Sequence, residues 1–194
     1  MFDTRFFGIF FSTFLMASNA YGEEAAVWNP DVRGWEIRVD QSIGNGCFMF
    51  TTYEGGTVLR MQFNPEVGNV QFIIGNQRWR SLEAEKIYPM TVQFGNLEPW
   101  SGNGTGFWWG EDLPALVLNV SFENDAADLF IEEFMRMTGV TVAYDDREIA
   151  KLSLRGTYAA MQEVMACQSA MLENRSTTDP FSSGATPSTD DPFR

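Results

Sequence analysis

The chain contains no histidine at all. That excludes the Ser-His-Asp and Cys-His triads, histidine zinc sites and an imidazole general base. Lysine is nearly as scarce. Lys86 and Lys151 are the two present, and neither follows the glycine run of a phosphate loop. A dinucleotide-binding glycine fingerprint and a calcium loop of the DxDxDG kind are also missing, so no cofactor and no metal is expected. Thirteen Lys and Arg stand against 26 Asp and Glu, a net charge of −13. The few basic residues are scattered, which argues against nucleic acid and against an electrostatic hold on anionic lipid.

Long apolar runs are missing too. The run from Phe6 to Ala17 is about a dozen residues, well short of the roughly 20 that cross about 30 Å of hydrocarbon. It follows Arg5 and ends in Ser18-Asn19-Ala20, the layout of a secretory signal peptide cleaved after Ala20. Cleavage removes Asp3 and Arg5 together and leaves the net charge unchanged. The mature chain is expected to have no transmembrane span and to reside in the periplasm or outside the cell. Cysteine occurs just twice. An oxidising compartment lets the two thiols pair, so one disulfide, Cys47 to Cys167, is expected with no ambiguity of connectivity.

After a short lead at 21–27, residues 28–172 carry the aromatic and aliphatic content of one packed domain. From Glu173 the composition turns to Ser, Thr, Asp and Pro, too poor in apolar surface to offset the entropy of ordering. Residues 173–194 are therefore expected to be a disordered acidic tail. It holds a short repeat, STTDPF at Ser176 to Phe181 and STDDPF at Ser188 to Phe193, which reads either as a docking motif used twice or as low-complexity duplication.

Within the domain, short alternating runs predict strands at Trp35 to Asp40, Cys47 to Tyr53, Thr57 to Phe63, Asn69 to Ile74, Met90 to Phe94 and Ala115 to Phe122. Glu54-Gly55-Gly56 marks a hairpin turn between the second and third. A further short strand is expected around Trp79, with a turn before Tyr88. Two helices interrupt the pattern. One starts at Asn124 as N-cap, ends at Gly139 and buries Ala127, Phe130, Phe134 and Met137. After strands at Val140 to Tyr144 and Lys151 to Leu154, Thr157 caps a second helix reaching about Met171, with Cys167 on its inward side. Met161, Met165 and Met171 read as core filler. The fold class is β-rich α+β: an antiparallel sandwich or partly open barrel with two packed helices.

Candidate binding residues come from WSGNGTGFWWG, Trp100 to Gly110, which has four aromatic rings, four glycines and no charge. Read as a long connection, it offers Trp100, Trp108 and Trp109 for stacking on sugar faces or for receiving an apolar partner side chain. The other reading makes Phe107 to Trp109 itself a strand. Catalysis would have to rest on paired carboxylates. Glu111-Asp112 and Asp145-Asp146 are the adjacent pairs, and the second reads as a solvated turn.

The segments LSLRGTYAAMQEVMACQ (Leu152 to Gln168) and GCFMFTTYEGGTVLRMQF (Gly46 to Phe63) resemble the closing strand and helix and the early hairpin of small exported bacterial proteins of unassigned function. That resemblance implies an exported, disulfide-bonded, β-rich fold and supplies no catalytic residues. The function expected is an exported, non-catalytic binding or inhibitor-like module acting through surface loops on a protein or neutral glycan. A structural cell-envelope component and a carboxylate-dependent glycan hydrolase are the alternatives.

Overall fold

The structure, a computed structural model, describes residues 25–110 and 112–178. Its strands are β1 (Ala25–Val32), β2 (Trp35–Asp40), β3 (Gly46–Thr52), β4 (Thr57–Asn64), β5 (Asn69–Asn76), β6 (Ile87–Phe94), β7 (Trp100–Trp109), β8 (Leu113–Ser121), β9 (Gly139–Tyr144) and β10 (Arg147–Ser153). Helix α1 (Ala126–Arg136) lies between β8 and β9, and α2 (Thr157–Thr178) follows β10. The strands form one antiparallel sheet in the order β1-β2-β3-β4-β5-β8-β7-β6-β9-β10. The chain meanders as far as β5. It then places β8 beside β5 and returns through β7 and β6, so the segment after β5 spans β8 and β7 before β6 begins, with Leu82 turned into the core.

The sheet curls around its helices, which pack in one core with strands far apart in the order. Phe130 of α1 packs edge-on against Phe72 of β5, Phe94 of β6 and Trp100 of β7, at 5.9, 5.0 and 5.2 Å between ring centroids. One turn on, Phe134 meets Trp35 of β2 at 6.0 Å and Phe94 at 6.1 Å. Strands as distant in the order as β2 and β6 can touch neighbouring rings of one helix only if the sheet bends around it. The two ends of the sheet approach without pairing. The Tyr53 hydroxyl, after β3, donates to the Ser153 carbonyl of β10 at 2.6 Å, and Trp35 Nε1 donates to the Arg155 carbonyl at 2.9 Å. The result is a partly open barrel with both helices packed in its concavity, within the expected fold class.

The disulfide joins Cys47 of β3 to Cys167 of α2, with Cα atoms 6.1 Å apart and both residues fully buried. Gln168 reinforces the junction by accepting from the Cys47 backbone N–H at 2.9 Å.

Several elements differ from expectation. WSGNGTGFWWG is strand β7, and its glycines alternate for a reason. Gly102, Gly104 and Gly106 all point to the concave face, where an added Cβ would lie 2.9 Å from Leu118 Cδ1, on Met90 Sδ and on the Glu83 carbonyl respectively. Leu118 and Met90 could give way to a methyl group, but the Glu83 carbonyl is backbone, so Gly106 is where the strand has least room for a side chain. The segment around Trp79 is a series of turns, not a strand. It is held down by Glu85 N–H to Gly106 O at 2.7 Å and Gly106 N–H to Lys86 O at 2.8 Å. Strand β1 begins at Ala25, inside the expected lead, and α2 continues to Thr178, past the Glu173 boundary drawn for the tail. The proposed signal peptide, the rest of the lead and residues 179–194 lie outside the described residues.

Helix ends also depart from the sequence reading. A 3-10 turn over Glu123–Asp125 precedes α1, and Asp125 occupies the left-handed region (φ 59°) at the N-cap position without a side-chain cap bond. At the other end Met137 is already extended, so Gly139 opens β9 instead of terminating the helix. Thr157 is the first residue of α2. Its buried hydroxyl faces the carbonyls of Leu154 and Phe134, at 2.8 and 3.1 Å, and so ties α2 to α1.

Candidate functional site

The three tryptophans of β7 share a strand but not a surface. Trp100 is half-buried against α1, with its Nε1 donating to Glu133 Oε2 at 2.6 Å. Trp109 is buried on the convex face of the sheet, in a second apolar cluster with Phe48, Phe50, Val58, Ile73 and Ala115. Trp108 alone is open, at 41% exposure. Adjacent residues of a strand point to opposite faces, so Trp108 and Trp109 diverge. The convex cluster also contains Arg60, whose guanidinium lies 3.4 Å over the Phe48 ring and 4.8 Å from the Trp109 ring and donates to Asp40 at 2.6 Å. Burial pulls Arg60 down to about 10, against the pull of Asp40, and it remains a cation at neutral pH. Burial alone would raise the Asp40 carboxyl. Hydrogen bonds from Ser42 and Arg60, with the Arg60 charge, hold it below its ordinary value. Burial raises the Tyr53 hydroxyl.

The carboxylate pairs do not form a site among the described residues. Asp145 and Asp146 (φ 48° and 62°) are the exposed two-residue turn of the β9–β10 hairpin. Asp112 is exposed at the β7–β8 connection, and Glu111 lies outside the described residues. No group of three or more His, Cys, Asp or Glu among the described residues could hold a metal ion.

A site of a different composition forms where the 77–86 turns cross the mouth of the barrel. Arg78, Trp79, Tyr88, Tyr144, Arg147 and Glu148 line a cleft of about 430 Å³, floored by Leu82, Leu116 and Ile149 with Ser81 beside them. Each wall is fixed by local structure. Asn76, at the end of β5, accepts from the Arg78 N–H at 2.9 Å through its side chain and from the Trp79 N–H at 2.9 Å through its carbonyl. Its amide nitrogen is anchored on Thr57 Oγ1 at 2.8 Å. Tyr88 of β6 is buried and its hydroxyl accepts from the Glu83 N–H at 2.9 Å, so it presents a ring and not a hydroxyl. Tyr144 of β9 meets that ring edge-on at 5.4 Å and stays 37% exposed. Arg147 is paired with Tyr144 across the hairpin, and a bulge between Glu148 and Ala150 adds one residue to β10 at the cleft.

Arg38 pairs with Glu36, Arg60 with Asp40 and Arg136 with Glu132, whereas Arg78 and Arg147 make no ion pair with a described carboxylate. Arg33, Arg80 and Arg155, outside the cleft lining, also make no ion pair with a described carboxylate. Nearby, Glu83 bonds Lys86 and raises its ammonium. The cleft thus brings together three aromatic rings and two uncommitted cations. Sequence reasoning missed it because its residues come from four separate segments. The available signal was the pairing of arginine with an aromatic residue twice, Arg78-Trp79 and Tyr144 with Arg147 across an Asp-Asp turn.

A second concavity, also about 430 Å³, runs between the helices over Phe63, Phe122, Ile131, Met135, Tyr158 and Met165, with Asp128, Glu132 and Arg136 at its rim. Phe63 and Phe122 stack there at 6.0 Å and 13°. Met161 is core, as expected, but Met165 is 37% exposed and lines this groove.

No family model and no curated protein matches the chain. Among solved structures, the chain is similar to the crystal structure of invasion associated protein B from Bartonella henselae, with 11% identity, a TM-score of 0.47, and coverage of 70% of this chain and 94% of that one.

Proposed function

We propose that this chain is an exported, non-catalytic binding module, of the kind of the small exported bacterial proteins it resembles, and that it takes its partner in the cleft at the barrel mouth. One observation carries the reading. Trp79, Tyr88 and Tyr144 offer ring surface beside Arg78 and Arg147, which are charged, exposed and not engaged by any described carboxylate. Its volume falls in the roughly 300–1,000 Å³ range of small-molecule sites, and barrel mouths are a usual place for them. Glu148 is the one carboxylate on its lining, which supports recognition rather than paired-acid hydrolysis. The disulfide supports export, because thiols stay paired in oxidising compartments. No described helix is long and apolar enough to cross a membrane.

Two measurements test this reading. Expressed with its leader, the mature protein should begin at Tyr21 by N-terminal sequencing; a retained leader sinks the export claim. Titration of the mature protein with a panel of neutral and acidic oligosaccharides and short peptides should find a ligand that quenches tryptophan fluorescence. Binding of that ligand should be lost in Tyr144→Ala with no change in melting temperature. A ligand whose affinity is indifferent to Trp79→Ala and Tyr144→Ala would place recognition elsewhere.

A further inference from the structure

Resting on the binding-module reading, we infer that the ligand of the cleft is a saccharide bearing a carboxylate, with Arg78 and Arg147 on the carboxylate and the rings of Trp79 and Tyr144 against the apolar face of the sugar. The two concavities of the molecule differ in the feature that decides this. The groove between the helices is walled by Phe, Ile and Met with two acids and a paired Arg136 on its rim, and has no free cation to offer an anion. The barrel mouth has two, on a chain of net charge −13.

Both arginines are exposed yet rooted in fixed backbone. Arg78 follows the Asn76 anchor, and Arg147 follows the Asp145-Asp146 turn. A guanidinium presents donors in a planar fork that matches a carboxylate, and charge-assisted bonds of this kind are about twice as strong as neutral ones. Glu148 sits on the same lining and forms no ion pair with Arg147, so the cations are not neutralised from within.

The rings decide between the two common carriers of a carboxylate. A peptide C-terminus is typically captured by a nest of backbone N–H groups, whereas the residues lining this cleft bring polar side chains, those of Arg78, Ser81, Tyr144, Arg147 and Glu148, beside the ring of Trp79. A sugar ring presents C–H groups on one face and hydroxyls at its edge. Flat aromatic walls, Ser81 and Glu148 answer those two surfaces, and about 430 Å³ accommodates a unit of one or two rings.

The test uses the mature, disulfide-bonded protein and a glucuronic acid-containing disaccharide, with the same disaccharide carboxyl-reduced to its neutral form. Calorimetry should give at least about tenfold tighter binding of the acidic probe, a preference that declines with added salt. Arg147→Gln and Arg78→Gln should each reduce that preference, with neutral-probe affinity and the melting temperature unchanged. Equal binding of the two probes, lost in Tyr144→Ala, overturns the carboxylate claim and leaves the module reading standing. Binding of a peptide with a free C-terminal carboxylate, and of neither sugar, overturns the saccharide claim in the same way. No binding of any probe, or binding that Trp79→Ala and Tyr144→Ala leave unchanged, overturns both.

Discussion

The two ends of the concave face are built on opposite terms. At the helix-filled end the central side chains are matched: Phe130 and Phe134 touch four strands, the Thr157 hydroxyl faces two carbonyls, and a covalent bridge pins α2 to β3. At the open end Arg78 and Arg147 are left without ion pairs and Tyr144 without full cover, although backbone hydrogen bonds hold the segments that carry them. A domain invests packing where it needs rigidity. Where it leaves well-positioned side chains unspent, those side chains are available to something outside the chain.

Substitutions should separate the two ends by the size of their effect. Phe134→Ala removes a fully buried ring from the centre of the concavity and should cost about 3–5 kcal/mol by urea denaturation. The Cys47→Ser, Cys167→Ser double variant should lose about 2–5 kcal/mol, read as a drop in melting temperature relative to the oxidised protein. Gly106→Ala pushes a methyl group onto the Glu83 carbonyl and within 3.0 Å of the Tyr88 ring. It should cost about 1–3 kcal/mol and also disturb the cleft, because the same strand supports the 77–86 turns. That makes Gly106 the residue at which the two ends are coupled.

A smaller effect should follow pH. The Asp40 carboxyl titrates below its ordinary value of 3.8 when folded, so the stability from its Arg60 and Ser42 contacts is fully present above about pH 4 and is lost as pH falls through the lowered value. Asp40→Asn should flatten that part of the stability profile, measured by denaturant titration between pH 5 and 2. The smallest effect belongs to the open end, where Arg147→Ala should change stability by no more than about 0.5 kcal/mol. A larger loss would show that the cleft is part of the framework after all.

The sequence made the framework legible wherever local rules and tertiary demands agree. The Glu54-Gly55-Gly56 turn, the alternation of Trp35 to Asp40 and the buried stripe of Ala127, Phe130 and Phe134 all follow from side-chain periodicity. Strand β7 was obscured because glycine is a poor strand former and loop signals are rich in it. Spacing held the answer, since Gly102, Gly104 and Gly106 recur at period two. The Asn124 cap failed because a 3-10 turn and a left-handed Asp125 intervene, a conformation that local propensity does not distinguish from a direct cap. Nothing local announces that β8 pairs with β5, yet that crossing is what carries Trp79 over the barrel mouth toward Tyr144 and Arg147. The cleft was therefore invisible from sequence, while Trp100 and Trp109, conspicuous there, turn out to be packed into the body of the sheet.

The 120-residue interval between Cys47 and Cys167 sets an order of events during biogenesis. A chain made amino-terminus first presents Cys47 long before Cys167 has been synthesised. With no third cysteine in the sequence, the early thiol has no wrong partner within its own chain and meets competition only from other molecules. Covalent closure thus has to wait until all ten strands have been synthesised, because Cys167 follows the last of them in the chain.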